Sequence, residues 1–186
     1  MASDIECPAD RLSQALQIAG ADDEKGLTAV QTLIGEYPND GRLYFLRGSL
    51  LAGLQRYDEA RTAMAKAVEV APGFALARFQ YGLLELTSGN AAAARDIWMP
   101  LQTLPSDHYL RLFTVGLNHL IMDEFEAAIA RLEEGIANNT ETPPLNRDMQ
   151  MIIDESRSKL DQQPAEPEVT SAAQLLLNQF GKNTKH

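Results

Sequence analysis

The chain has a single cysteine, Cys7, among 186 residues. One thiol cannot close an internal bridge, which excludes the disulfide-stapled scaffolds of small secreted domains. Aromatic residues are scarce at 6%, and Trp98 is the one tryptophan. No apolar run reaches the roughly 18 residues that a membrane-spanning helix needs. Basic residues are outnumbered 16 to 26, for a formal net charge of -10. A surface of that sign repels a phosphate backbone, so nucleic acid is not an expected partner. The opening MASDIECPADRL has acids where a secretory leader has a basic and then an apolar stretch. The expected location is the cytoplasm.

Signatures of chemistry are also missing. No Gly-Lys-Ser/Thr phosphate loop and no His-Glu-x-x-His zinc motif occur. The histidines His108, His119 and His186 are scattered. His119 and Asp123 share the i,i+4 spacing of two ligands on one helix face, against the plainer reading of a structural histidine. Cys7 has no histidine nearby to activate it. The acidic pairs Asp58-Glu59, Asp123-Glu124 and Glu133-Glu134 suit helix starts and solvated faces. The expectation is a non-enzyme with no catalytic residue, metal or cofactor.

What is present is a period. Gly48, Gly82 and Gly116 recur every 34 residues, as do Ala60, Ala94 and Ala128, and Phe45, Phe79 and Phe113. Three columns in one register mark an internal repeat. Each unit reads as two helices and a turn. In the first, residues 44–54 form one helix and residues 58–70 the second. Ala60, Met64, Ala67 and Val68 fall on one face of that second helix, and Pro72-Gly73 ends it. Gly48 and Ala60 are small where two helices must approach closely. One such pair cannot bury its apolar face alone, so neighbours must stack.

This pattern resembles the tetratricopeptide repeat family. Residues 41–74 match at Tyr44, Gly48, Tyr57, Ala60, Ala67 and Pro72. Residues 75–108 match at Gly82, Gly89, Ala94 and Trp98, with Pro105 one place early. Residues 109–142 match at Gly116, Phe125, Ala128 and Leu132, and no proline closes the unit. Arg47, Arg78, Glu85 and His119 depart from the usual apolar or aromatic residues. The resemblance implies an all-α fold, a right-handed α-α superhelix of stacked antiparallel helix pairs.

A degenerate pair precedes the repeats over residues 1–40, with Leu27, Val30, Leu33 and Ile34 as one apolar face. After residue 142 the period breaks. Pro143-Pro144 opens a helix to residue 160 through Leu145, Met149, Ile152, Ile153 and Leu160, expected to cap the stack. Residues 161–170 form a polar, proline-containing linker. Residues 171–181 then read as a short amphipathic helix before the last residues, 182–186. Ser171 and Gln174 fit a capping box. Ala173, Leu176, Leu177 and Phe180 form one stripe. So short a helix is unstable alone in water. It either docks, in cis or on a second copy, or stays unfolded.

In tetratricopeptide proteins the first helices of successive repeats line a concave groove. Carried over, that groove is Phe45, Ser49, Leu76, Phe79, Leu83, Leu86, Leu110, Phe113, Leu117 and Leu120, with Arg42 its only charge. Such a lining suits a hydrophobic peptide or amphipathic helix. The same phenylalanines also fit core packing between helices, and both readings stand. The resemblance implies a protein-binding adaptor or scaffold. The charge-poor groove and the unsupported amphipathic tail add the expectation that the tail helix competes for the groove. Two alternatives are a chaperone like those serving bacterial type III secretion, and a structural homo-oligomer, such as a homodimer, formed by tail exchange. The charge is uneven. Residues 1–40 carry eight acids and two bases, while the groove is almost free of charge.

Overall fold

The structure, a computed structural model, describes residues 6–162. Among the described residues there are nine α-helices, one 3-10 helix and no strand. The chain divides into two compact units, one ending at Leu84 and the other beginning at Glu85.

In the first unit, α1 (Ala9–Ala21) packs on α2 (Asp23–Glu36), α2 on α3 (Gly41–Gly53), and α3 on α4 (Tyr57–Val70). A further helix, α5 (Ala75–Thr87), begins in this unit and crosses the boundary. The acidic triplet read from sequence supplies the start of α2. Asp22 is its N-cap and accepts from the backbone N–H of Lys25 at 3.0 Å, with Asp23 and Glu24 in the first turn. That N–H holds the Asp22 carboxyl below its ordinary value. The α3 helix starts at Gly41, three residues before the expected Tyr44, because the Asp40 side chain caps the N–H of Arg42 at 3.0 Å.

Two apolar clusters hold the unit. One gathers Cys7, Ala15, Val30, Leu33, Ile34 and Leu43. The other gathers Leu27, Leu51, Ala60 and Ala63, with Leu84 against them. Gly48 has the role its column predicts. A Cβ there would lie 2.8 Å from Cγ of Met64 on α4.

The second unit continues through α6 (Ala91–Trp98), α7 (Tyr109–Ile121), α8 (Phe125–Asn138) and α9 (Pro143–Asp161). The α6 helix has 8 residues where α4 and α8 have 14, and it passes into a 3-10 helix, Met99–Thr103. Pro100 explains the change, since it cannot donate into the α ladder and its ring clashes with the preceding turn. Trp98 is fully buried. In α7, Gly116 would place a Cβ 2.8 Å from Leu132 and 3.1 Å from the Ala128 carbonyl on α8.

The α9 helix packs on α8. It buries Leu145, Met149, Ile152 and Ile153, four of the five residues expected to form its stripe. Leu160, the fifth, is only half-buried. Ser156 is buried instead, its hydroxyl donating to the Ile152 carbonyl at 2.7 Å. Buried Asn139 organises the loop before α9. Its amide donates to the Thr142 carbonyl at 2.8 Å and to Oδ1 of Asn146 at 2.7 Å, and its Oδ1 accepts from the Thr142 N–H at 2.9 Å.

The turn inside each repeat is a second periodic feature. Gln55, Gly89 and Asp123 have φ of 61°, 86° and 58°. Each is followed by a residue whose N–H reaches back five positions: Arg56 to Leu51, Asn90 to Glu85, and Glu124 to His119, at 2.9, 2.9 and 3.0 Å. This is the Schellman helix stop, closed by a left-handed residue.

Candidate functional site

The ten positions carried over as a groove divide by burial. Phe79, Leu86, Phe113 and Leu117 have no exposed surface, and Leu83, Leu110 and Leu120 keep 7%, 2% and 1%. Phe113 shows why. It stands edge-on to Tyr109 with ring centroids 5.9 Å apart, and a Cβ at Gly135 on α8 would lie 2.5 Å from its ring. That ring fills the space which a missing side chain leaves between α7 and α8. For Phe79 and Phe113, of the two readings open at the level of sequence, the structure favours core packing. Ser49 is exposed, and Phe45 and Leu76 are half-buried. All three lie in the first unit. Phe45 meets Phe74 edge-on at 5.2 Å, and the Ser49 hydroxyl donates to the Phe45 carbonyl at 3.0 Å. The tail stripe Ala173, Leu176, Leu177 and Phe180 lies outside the described residues.

Arg42, the expected lone charge of the groove, is used within the fold. Its guanidinium donates to the Asp40 carboxylate at 2.6 Å and to the Cys7 carbonyl at 2.9 Å. Burial alone would push the Asp40 carboxyl up. The donors from Arg42 and from the N–H of Cys7 outweigh it and leave the carboxyl below its ordinary value. Burial pushes the Cys7 thiol up, and the Asp40 charge adds to the effect. A raised pKa disfavours the reactive thiolate.

His119 does not pair with Asp123. Its Nδ1 lies 2.5 Å from a carboxylate oxygen of Glu124, one residue further on. The left-handed Asp123 turns the chain so that Glu124 faces back along α7. Among the described residues no three His, Cys, Asp or Glu side chains converge as a metal site, and no helix is long and apolar enough to cross a membrane.

One concavity was not read from the sequence. A cleft of about 540 Å³ opens in the first unit, bordered by Tyr44 and Arg47 of α3, by Arg61, Lys66 and Glu69 of α4, and by Tyr81 of α5. Ala63 and Ala65 also line it. The Lys66 ammonium donates to Glu69 at 2.6 Å, which holds it above its ordinary pKa. In the sequence Arg47 stands out only as a departure from an apolar repeat position. Its placement beside Lys66 depends on how α3 packs on α4.

Helices recurring every 34 residues, with the same left-handed turn inside each of the three repeats from residue 41, define a helical-repeat protein. The sequence profile of the tetratricopeptide repeat matches residues 24–73 and again 45–99, so that stretch is built of tetratricopeptide repeats. No curated protein matches the chain. Among solved structures, it is similar to residues 41 to the end of MamA from Desulfovibrio magneticus RS-1. The TM-score is 0.58 at 14% identity, covering 95% of this chain and 94% of that one. An ArsTM double mutant of the RS-1 MamA gives 0.55 at 14% identity, over 84% and 100% of the two chains. A further MamA crystal structure gives 0.55 at 15%, over 96% and 98%. At these identities the likeness is one of fold. The repeats make the chain a protein–protein interaction module.

Proposed function

We propose that the chain is a non-enzymatic adaptor that binds an apolar or amphipathic segment of a partner protein. The contact lies on the exposed side of α3 and the start of α5, at Phe45, Ser49 and Leu76. The observation that carries this reading is the Phe45–Phe74 pair, two half-buried phenylalanines in edge-on contact. Such rings give a partner apolar area at small conformational cost. The other seven positions named from the family pattern are buried and add no exposed apolar area of their own.

The tail stripe Ala173, Leu176, Leu177 and Phe180 has the composition of a competing ligand. In this reading it limits access to the surface until a partner displaces it. Partners captured by the full chain are identified by mass spectrometry, and the affinity of one is then measured by calorimetry. Phe45→Glu is expected to weaken binding at least about tenfold, the loss of one interface anchor. Removal of residues 163–186 is expected to strengthen it. Unchanged affinity for Phe45→Glu would sink the apolar reading, and unchanged affinity on tail removal would sink the competition.

A further inference from the structure

We infer that the cleft between α3, α4 and the middle of α5 is a second docking site, and that it takes an extended acidic segment of a partner protein through Arg47 and Lys66. The inference rests on the chain being a protein-binding module. It does not rest on the apolar surface proposed above.

Charge distribution points to this occupant. The chain is acidic, yet residues 41–87, which include α3 to α5, carry six bases and four acids. Within that stretch Arg47 and Lys66 border one cleft from two different helices. Arg47 is half-buried, and no carboxylate among the described residues lies within ion-pair distance of it. Glu59 is the acid that feels its charge. A partly desolvated guanidinium gains strongly from a carboxylate, which it can hold through two parallel hydrogen bonds. Lys66 already has a partner, Glu69, but that carboxylate is 69% exposed. An exposed pair is worth about 0–1 kcal/mol, so exchanging it for a ligand carboxylate costs little.

The remaining walls shape the ligand. The Tyr44 hydroxyl donates to the Pro38 carbonyl at 3.0 Å. With its hydroxyl committed there, Tyr44 has its ring left to offer. Ala63 and Ala65 are small. The volume, about 540 Å³, falls within the range of ligand sites. Small or apolar side chains between two carboxylates fit this lining. A nucleic acid fits less well, because Glu69 borders the cleft and the whole chain is negative. Tyr44 and Arg47 also point away from Phe45 and Ser49, since 100° per residue places the two pairs on largely opposite sides of α3. The two docking sites can therefore be disabled separately.

The full chain is applied to an array of acetylated dodecapeptides. One set carries Glu and Asp among Ala, Leu and Pro, and the matched set replaces those acids by Gln and Asn. The carboxylate set is expected to retain at least about fivefold more protein, as charged hydrogen bonds exceed neutral ones, and added salt is expected to reduce the difference. Arg47→Glu and Lys66→Glu are each expected to abolish the preference, while Phe45→Glu leaves it intact. Circular dichroism confirms that each variant is folded, and Arg47→Gln is the milder replacement if a reversal is not. Equal capture of both sets, or a preference that survives both reversals, overturns the site. So does displacement of the acidic peptides by inorganic phosphate or by oligothymidine at matched ionic strength, since the cleft would then recognise phosphate. Loss of apolar partner binding in Phe45→Glu with the acidic preference retained separates this site from the other. Loss of both in that one variant overturns their independence.

Discussion

The backbone N–H of Cys7 donates to Oδ2 of Asp40 across 2.8 Å, joining positions 33 residues apart. The same carboxylate caps α3 and pairs with Arg42, which reaches back to the Cys7 carbonyl. One buried acid thereby fastens the segment before α1 to the start of the first clear repeat. Its side chain is 2% exposed, so the bonds it accepts are shielded from water.

Asp40→Ala removes a helix cap and leaves buried donors unmatched. The expected cost is about 2 kcal/mol, a fall in melting temperature of roughly 4–8 °C. The pH dependence has a defined sign. The folded Asp40 pKa lies below its ordinary value of 3.8, so its contribution is full above that pH and is lost as pH falls through the folded value. Asp148 on α9 is the opposite case. Burial raises its carboxyl above 3.8 although Arg147 opposes the shift. Stability from this group is present below pH 3.8 and is lost as pH rises through the folded pKa. Asp148→Asn is therefore expected to raise the melting temperature at pH 7 and to leave it unchanged near pH 3. Thermal melts of wild type, Asp40→Ala and Asp148→Asn across pH test both signs. A gain from Asp148→Asn at pH 3 equal to that at pH 7 would contradict the assignment.

The left-handed turns predict an asymmetry. Gln55 holds φ 61° with a Cβ, which costs about 1 kcal/mol relative to glycine. Gln55→Gly is expected to stabilise the chain by up to that amount. Gly89→Ala, at φ 86° in open space, is expected to destabilise it similarly. Asp123→Gly should gain less, because Asp tolerates this region better than Gln. Denaturant unfolding of the three variants measures the order, and a destabilised Gln55→Gly would contradict it.

The two repeat glycines differ in what surrounds them. A Cβ at Gly48 meets the flexible side chain of Met64, which can move aside. At Gly116 it meets Leu132 and also the fixed carbonyl of Ala128 at 3.1 Å. Gly116→Ala is expected to cost about 1–3 kcal/mol. Gly48→Ala should cost less, because alanine's helix preference offsets part of the crowding. Equal losses in urea unfolding would show that the Ala128 carbonyl is not the obstacle.

The repeat register was legible because its causes are local or periodic. An apolar face needs residues three and four apart, close approach of two helices needs a small residue, and both recur every 34 positions in the Gly48 and Ala60 columns. The turn column was only partly legible. Gly89 announces a left-handed residue, whereas Gln55 and Asp123 adopt that conformation through the helix stop around them. The 3-10 segment at Pro100 follows from a local rule, but it interrupts a helix that periodicity alone would have continued.

The amino-acid sequence by itself determined the helix pairs, their period and the family. It did so because helix formation and pair packing depend on neighbours within one repeat. Tertiary structure alone decided which apolar residues remain exposed. Phe45 and Phe113 occupy the same repeat position, yet Phe113 is fully buried over Gly135 while Phe45 keeps exposed surface against Phe74. It also decided the charges. Arg42 turned from a groove residue into a tie to the Cys7 carbonyl 35 positions away, and Arg47 from a repeat irregularity into the border of a cleft. The physical reason is common to both. Burial and ion pairing are set by side chains brought close only when helices pack, and the order of residues along one helix does not name those neighbours.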